Sequence, residues 1–64
     1  MNFRLKEKIV EKFGSQVRFA FELREHEGVV SKVVKGWRSI GEDKKKKWAD
    51  ALGCKVEDIF SQGS

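Results

Sequence analysis

Hydrophobic residues recur along this chain with the spacing of an α-helix. In the first such segment, Leu5, Ile9 and Phe13 follow one another every four residues, and Val10 stands beside them in a single apolar stripe. The same period marks five segments in all: about Asn2 to Lys12, about Gln16 to Arg24, about Glu27 to Lys35, one that opens near Gly41 and continues to Leu52, and Val56 to Phe60. The pattern predicts an all-α protein.

The residues between these segments are typical of helix ends. Gly14, Gly36 and Gly53 each end a periodic segment, and Gly36 stands at a C′ position, where a left-handed residue is favoured. Ser15 is a good N-cap for the second segment. Short connections between short helices predict a compact orthogonal bundle of about five helices. The predicted inward residues of the later segments are Phe19, Ala20, Leu23, Val30, Val33, Val34, Trp48, Ala49, Leu52, Val56, Ile59 and Phe60.

The length of 64 residues predicts one domain, 1–64, with a small core. The net charge of +4 comes from 14 Lys and Arg residues against 10 Asp and Glu residues. Between Val29 and Ile40 the chain carries Lys32, Lys35 and Arg38 and no acid. This local excess of positive charge favours a polyanionic partner.

The reactive residue types are few. One cysteine, Cys54, forbids an internal disulfide, and with one histidine, His26, it makes a metal site improbable. No second base stands near His26 at a catalytic spacing, so we expect neither an enzyme nor a cofactor. No apolar run has the roughly 20 residues of a membrane span. We expect a cytoplasmic protein with no membrane association.

The stretch 15–40 combines the features that a helix-turn-helix needs. Ala20 is small enough for two helices to cross closely, and Leu23 ends the first helix with an apolar residue. The second helix, from about Glu27 to Lys35, turns Val30, Val33 and Val34 inward. Its outward face is then polar, compact and partly cationic, and a helix of that width fits the major groove of DNA. The outward residues are Glu27, Gly28, Ser31, Lys32 and Lys35.

On these residues the chain resembles the phage-repressor and Cro type of helix-turn-helix, the lambda-repressor-like DNA-binding domains. The matching stretches cover nearly the whole chain: Ser15-Gln16, Phe19-Ala20, Val30 to Val34, Lys35-Gly36 with Arg38 and Ile40, Trp48 to Cys54, and Glu57 to Phe60. The resemblance implies a sequence-specific regulator of transcription, a repressor of phage or prophage type that binds double-stranded DNA as a homodimer.

The resemblance also implies roles for single residues. Ser15 and Gln16 open the scanning helix, where Gln16 would touch a phosphate. Glu27, Gly28, Val29, Ser31 and Lys32 would face base edges or the adjoining phosphates. Glu27 would accept a hydrogen bond from a cytosine amino group, and Val29 would touch a thymine methyl group. Lys35 and Arg38 would hold phosphates after the recognition helix. For Trp37 two interpretations stay open, stacking against a sugar or packing under the loop.

The chain departs from that family at two turn positions. Arg24 stands where the family has glycine, and Glu25 where it has an apolar residue. A side chain in a left-handed turn costs on the order of 1 kcal/mol, and a buried charge costs more. A longer or differently folded turn is therefore one expectation.

Expectations also follow for three other surfaces, and the first of them allows two interpretations. Val17 and Phe21 lie off the inward stripe of the second helix, and indicate either a wider packed face or an exposed patch for a partner protein. The patch would suit a protein-interaction module, antitoxin-like or anti-repressor, that keeps the same fold. The lysines 44–47 are expected to be a solvated helix face, since four successive helical residues point in four directions. A homodimer would use the region from Leu52 to Phe60.

Overall fold

The computed structural model describes residues 1–60, and the last four residues of the predicted domain, 61–64, lie outside the described residues. The described chain is all-helical and measures 28 × 23 × 21 Å. Its helices are α1 (Phe3–Phe13), α2 (Gln16–Leu23), α3 (Glu27–Lys35), α4 (Glu42–Leu52) and α5 (Val56–Phe60). The all-α prediction is confirmed, and each predicted segment corresponds to one helix.

Side chains and glycines at the ends explain where the helices begin and end. The Asn2 side chain accepts a hydrogen bond from the backbone N–H of Leu5, so Asn2 caps α1 instead of belonging to it. The Ser15 hydroxyl oxygen caps α2 by accepting the backbone N–H of Arg18 at 3.1 Å. Gly36 and Gly53 end α3 and α4, as predicted, and both take the left-handed conformation, which was predicted for Gly36.

The core draws on all five helices and is centred on Trp48. The Trp48 ring meets Phe19 edge-to-face with their centroids 5.3 Å apart, and Phe13 meets Phe19 in the same way at 5.1 Å. One prediction of the apolar stripe was wrong: Val10 is 49% exposed, because it lies about 100° from Ile9 around the helix and past the edge of the buried face. The buried residues are Leu5, Ile9, Phe19, Ala20, Val30, Val33, Val34, Trp48, Ala49, Leu52 and Ile59.

The apolar residues near the end of the described chain belong mostly to this core. Leu52 and Ile59 are buried, and Cys54, Val56 and Phe60 pack against the core while half-buried. Part of the apolar surface in the predicted dimer region is therefore taken up by the core, and part stays open on Cys54, Val56 and Phe60. Among residues 1–60, no helix has the length and apolar character needed to cross a membrane.

Candidate nucleic-acid interface

The turn between α2 and α3 is tight. Arg24 takes the left-handed conformation, with φ 58° and ψ 39°, and the turn needs only Arg24, Glu25 and His26. The backbone N–H of Glu25 donates to the carbonyl of Ala20 at 2.8 Å, and that of Arg24 donates to Phe21 at 3.2 Å. These two hydrogen bonds are those of a Schellman motif, with an arginine where glycine is usual. The expected longer turn was wrong, because Arg24 accepts the strained conformation.

Glu25, the second unusual turn residue, is neutralised by α4. Its side chain is only 12% exposed, and its two carboxylate oxygens lie 3.1 and 3.2 Å from the Nζ of Lys44. Lys44 belongs to the run of lysines expected to be solvated, and it alone of that run reaches the turn. The sequence carried no signal for this ion pair, which joins residues 19 positions apart.

Helix α3 presents two different faces. Val30, Val33 and Val34 are buried against the rest of the bundle. The opposite face is open to solvent, and its exposed members are Glu27, Gly28, Lys32 and Lys35. The structure thus brings these predicted contact residues together on one surface.

Two other predicted contact residues in α3 lie at the edge of that surface. Ser31 and Val29 are half-buried, and Val29 packs partly against the core. Only part of the Val29 side chain is thus available to touch a base.

The segment after α3 carries an exposed aromatic ring beside positive charges. Trp37 is 72% exposed, so its packing under the loop was a wrong interpretation. The Nζ of Lys35 lies 4.9 Å from the centroid of the Trp37 ring, a cation–π contact that orients both side chains. Arg38 follows and is also exposed. These three residues extend the cationic surface of α3 into the following loop.

The start of α2 supplies the remaining predicted contacts. Ser15 is exposed and Gln16 is half-buried. The Ser15 hydroxyl oxygen is engaged as the helix cap, but its hydrogen is left to donate to an anion. The first backbone N–H groups of α2 add the partial positive charge of a helix N-terminus.

The described residues hold little else with catalytic or metal-binding chemistry. Residues 1–60 contain no group of three or more His, Cys, Asp and Glu side chains placed to share a metal ion. Burial raises the pKa of the Cys54 thiol, and the neighbouring carboxylate of Asp58 raises it further. Since the thiolate is the reactive form, Cys54 is a poor nucleophile at neutral pH.

The outer face of α2 is more apolar than a solvated helix face usually is. Val17 is 58% exposed and Phe21 is 77% exposed, so the interpretation of a wider packed face was wrong. Both side chains lie one turn apart on the same helix and form an open apolar patch.

Comparison of the chain with protein-family models, with curated proteins and with solved structures finds no match. The interpretation of the interface therefore depends on its residues and their geometry.

Proposed function

We propose that this chain is a sequence-specific double-stranded DNA-binding protein that regulates transcription, most simply as a repressor of the phage type. In this proposal α2 and α3 form a helix-turn-helix of the lambda-repressor-like fold, and α3 enters the major groove. The observation that carries the proposal is the division of α3: three valines anchor one face, and the opposite face is exposed, polar and cationic.

The proposed roles divide between reading bases and holding phosphates. Glu27, Gly28 and Lys32 lie exposed on the outward face of α3, where they would approach base edges, with Ser31 and Val29 at its margin. Lys35, Trp37 and Arg38 would hold the DNA backbone after the helix, and Ser15 and Gln16 would do so at the start of α2. Phosphate contacts set register and affinity, whereas base contacts set the sequence preference.

The first experiment measures fluorescence anisotropy of labelled duplexes over a range of salt concentrations. One duplex carries the DNA that flanks the gene for this chain, and the other carries a scrambled sequence. We expect a preference of about 10³ or more for the native flank. Equal, weak binding to both duplexes that vanishes steeply with salt would mean phosphate attraction alone. Absence of binding at low salt would contradict the proposal.

Two variants test the assignment of the recognition helix. Lys32→Ala should weaken binding by about tenfold, equivalent to about 1.4 kcal/mol. Glu27→Ala should change the preferred sequence more than the affinity, because Glu27 offers an acceptor to a base and repels phosphates. Lys46→Ala is the matched control, since it removes an exposed lysine of α4. Equal effects of Lys32→Ala and Lys46→Ala would place the interface elsewhere.

The exposed Val17 and Phe21 favour a second candidate function, a protein-interaction module of antitoxin-like or anti-repressor kind. Such a module would form a stable complex with another protein and would have no affinity for DNA. The anisotropy experiment separates the two candidates, because the module gives no signal with either duplex.

A further inference from the structure

The outer face of α2 consists of two parallel rows of side chains. Val17 and Phe21 form an apolar row, one helical turn apart. Arg18 and Glu22 form a charged row beside it, with the Nε of Arg18 3.7 Å from a carboxylate oxygen of Glu22. Successive residues of a helix differ by about 100°, so the two rows flank the direction opposite to the buried Phe19 and Ala20.

We propose that this face binds a second copy of the same chain, with the two α2 helices antiparallel. The two-fold axis would lie at the level of Phe19 and Ala20 and run across the two rows. Val17 of each copy would then contact Phe21 of the other, and Arg18 of each copy would contact Glu22 of the other. The apolar row of one copy then contacts the apolar row of the other, and the charged row contacts the charged row. By symmetry each contact occurs twice, and all four are favourable.

The antiparallel direction follows from the order of the rows. In a parallel two-fold pair, the apolar row of one helix would face the charged row of the other, which would bury Phe21 against Arg18 or Glu22. Charge also favours this face for self-association. The chain carries a net charge of +4, but Arg18 and Glu22 cancel on the α2 face, so two copies meet there without repulsion from the face itself.

The contact area that α2 can offer to a second copy is small. The eight residues of α2 span about 12 Å, which is short for the roughly 800 Å² that a standard interface buries on each partner. We therefore expect a weak dimer, with a Kd of about 0.1 to 1 mM.

The dimer does not depend on the proposed DNA binding. Its contacts come from the outer face of α2, while the proposed recognition surface belongs to α3. Self-association is measured without DNA, so the two proposals can fail separately.

The first test is sedimentation equilibrium without DNA, at concentrations up to about 1 mM. We expect a reversible monomer–dimer equilibrium that Phe21→Glu weakens by about tenfold or more, because the charge would lie against Val17 of the other copy. Phe3→Glu is the matched control, since Phe3 is 67% exposed in α1, outside this face, and should leave the equilibrium unchanged.

The second test exchanges the charges and reports whether the charged rows of the two copies face each other, as they do in the antiparallel pair. Arg18→Glu places two acids in the charged row, and Glu22→Arg places two arginines there, so each variant alone should dimerise about threefold more weakly than the wild type. Mixed in equal amounts, the two variants should form a heterodimer. The acid introduced at position 18 of one copy then faces the arginine introduced at position 22 of the other, and the native Glu22 faces the native Arg18. Both positions are exposed in the monomer, and circular dichroism checks that each variant is folded.

Three results would overturn the proposal. A wild-type chain that stays monomeric at about 1 mM has no such dimer. A dimer that Phe21→Glu leaves intact uses another face. If the mixture of the two charge variants associates no better than either variant alone, the charged rows do not face each other and the proposed pairing of the two α2 helices is wrong.

Discussion

At the residue scale, Arg24 is the position where sequence and conformation disagree most. Within residues 1–60 it is the one residue other than glycine with a positive φ. The left-handed conformation brings its own Cβ close to the carbonyl oxygen, which costs about 1 kcal/mol or more. Packing offsets this cost, because the turn places Glu25 beside Lys44 and lets the valines of α3 enter the core.

Replacing Arg24 by glycine should therefore stabilise the protein. We expect Arg24→Gly to raise the free energy of unfolding by about 0.5 to 1 kcal/mol, since relief of the strain exceeds the added entropy of the unfolded chain. Urea unfolding followed by circular dichroism measures the change. Arg18→Gly is the control with the opposite sign, because Arg18 lies in the first turn of α2, where no strain is relieved and glycine costs up to about 1 kcal/mol. Stability that falls in both variants would contradict the strain at Arg24.

At the scale of elements, the ion pair between Glu25 and Lys44 joins the α2–α3 turn to α4. Glu25 is nearly buried, so its carboxylate needs Lys44 to offset the loss of hydration. Lys44 is half-exposed, so water can solvate its ammonium group without Glu25. Without Lys44, the Glu25 carboxylate would lose the ion pair that the described residues give it and would keep its desolvation cost. The pair thus holds α4 against the turn that precedes the proposed recognition helix.

A double-mutant cycle tests this pair. Lys44→Met should lower the free energy of unfolding by about 1 to 2 kcal/mol, because it leaves the Glu25 carboxylate unpaired. Glu25→Leu with Lys44→Met should recover most of that loss, since an apolar pair of similar volume needs no partner. Lys46→Met, on the exposed part of α4, should change stability by less than about 0.5 kcal/mol. Additive effects at positions 25 and 44 would mean that the two side chains are independent.

At the scale of the whole molecule, Asn2 joins three helices. Its side-chain oxygen caps α1, its side-chain amide donates to the carbonyl of Ile59 in α5 at 2.6 Å, and its backbone N–H donates to the carbonyl of Val34 in α3 at 2.6 Å. A short helix such as α5 has little stability of its own. Its position on the bundle depends on the core contacts of Val56, Ile59 and Phe60 and on this tether.

Two variants separate the cap from the tether. Asn2→Ala removes both side-chain contacts and should lower the free energy of unfolding by about 2 kcal/mol. Asn2→Asp keeps the acceptor for Leu5 and loses the donor to Ile59, so α5 should open while α1 stays capped. Hydrogen exchange of the α5 amides measures that opening. Exchange in α5 that is unchanged in Asn2→Asp would show that the core contacts of α5 suffice without the tether.

The sequence by itself predicted much of this architecture. Apolar residues at helical spacing and the glycines at 14, 36 and 53 act locally, within one or two turns of the chain, so the five helices and nearly all of the core could be read from them. The exposed face of α3 followed in the same way: once Val30, Val33 and Val34 point inward, Lys32 and Lys35 must point outward.

Only the tertiary structure decided which neighbours these residues have. Whether Glu25 is a destabilising, nearly buried charge or half of an ion pair depends on Lys44, which packing brings to it from another helix. Whether Val17, Phe21 and Trp37 are buried depends on where the other helices lie, because periodicity gives a direction around one helix but not what covers it. Local pattern fixes the elements of this protein, and long-range packing fixes the surfaces that they leave open.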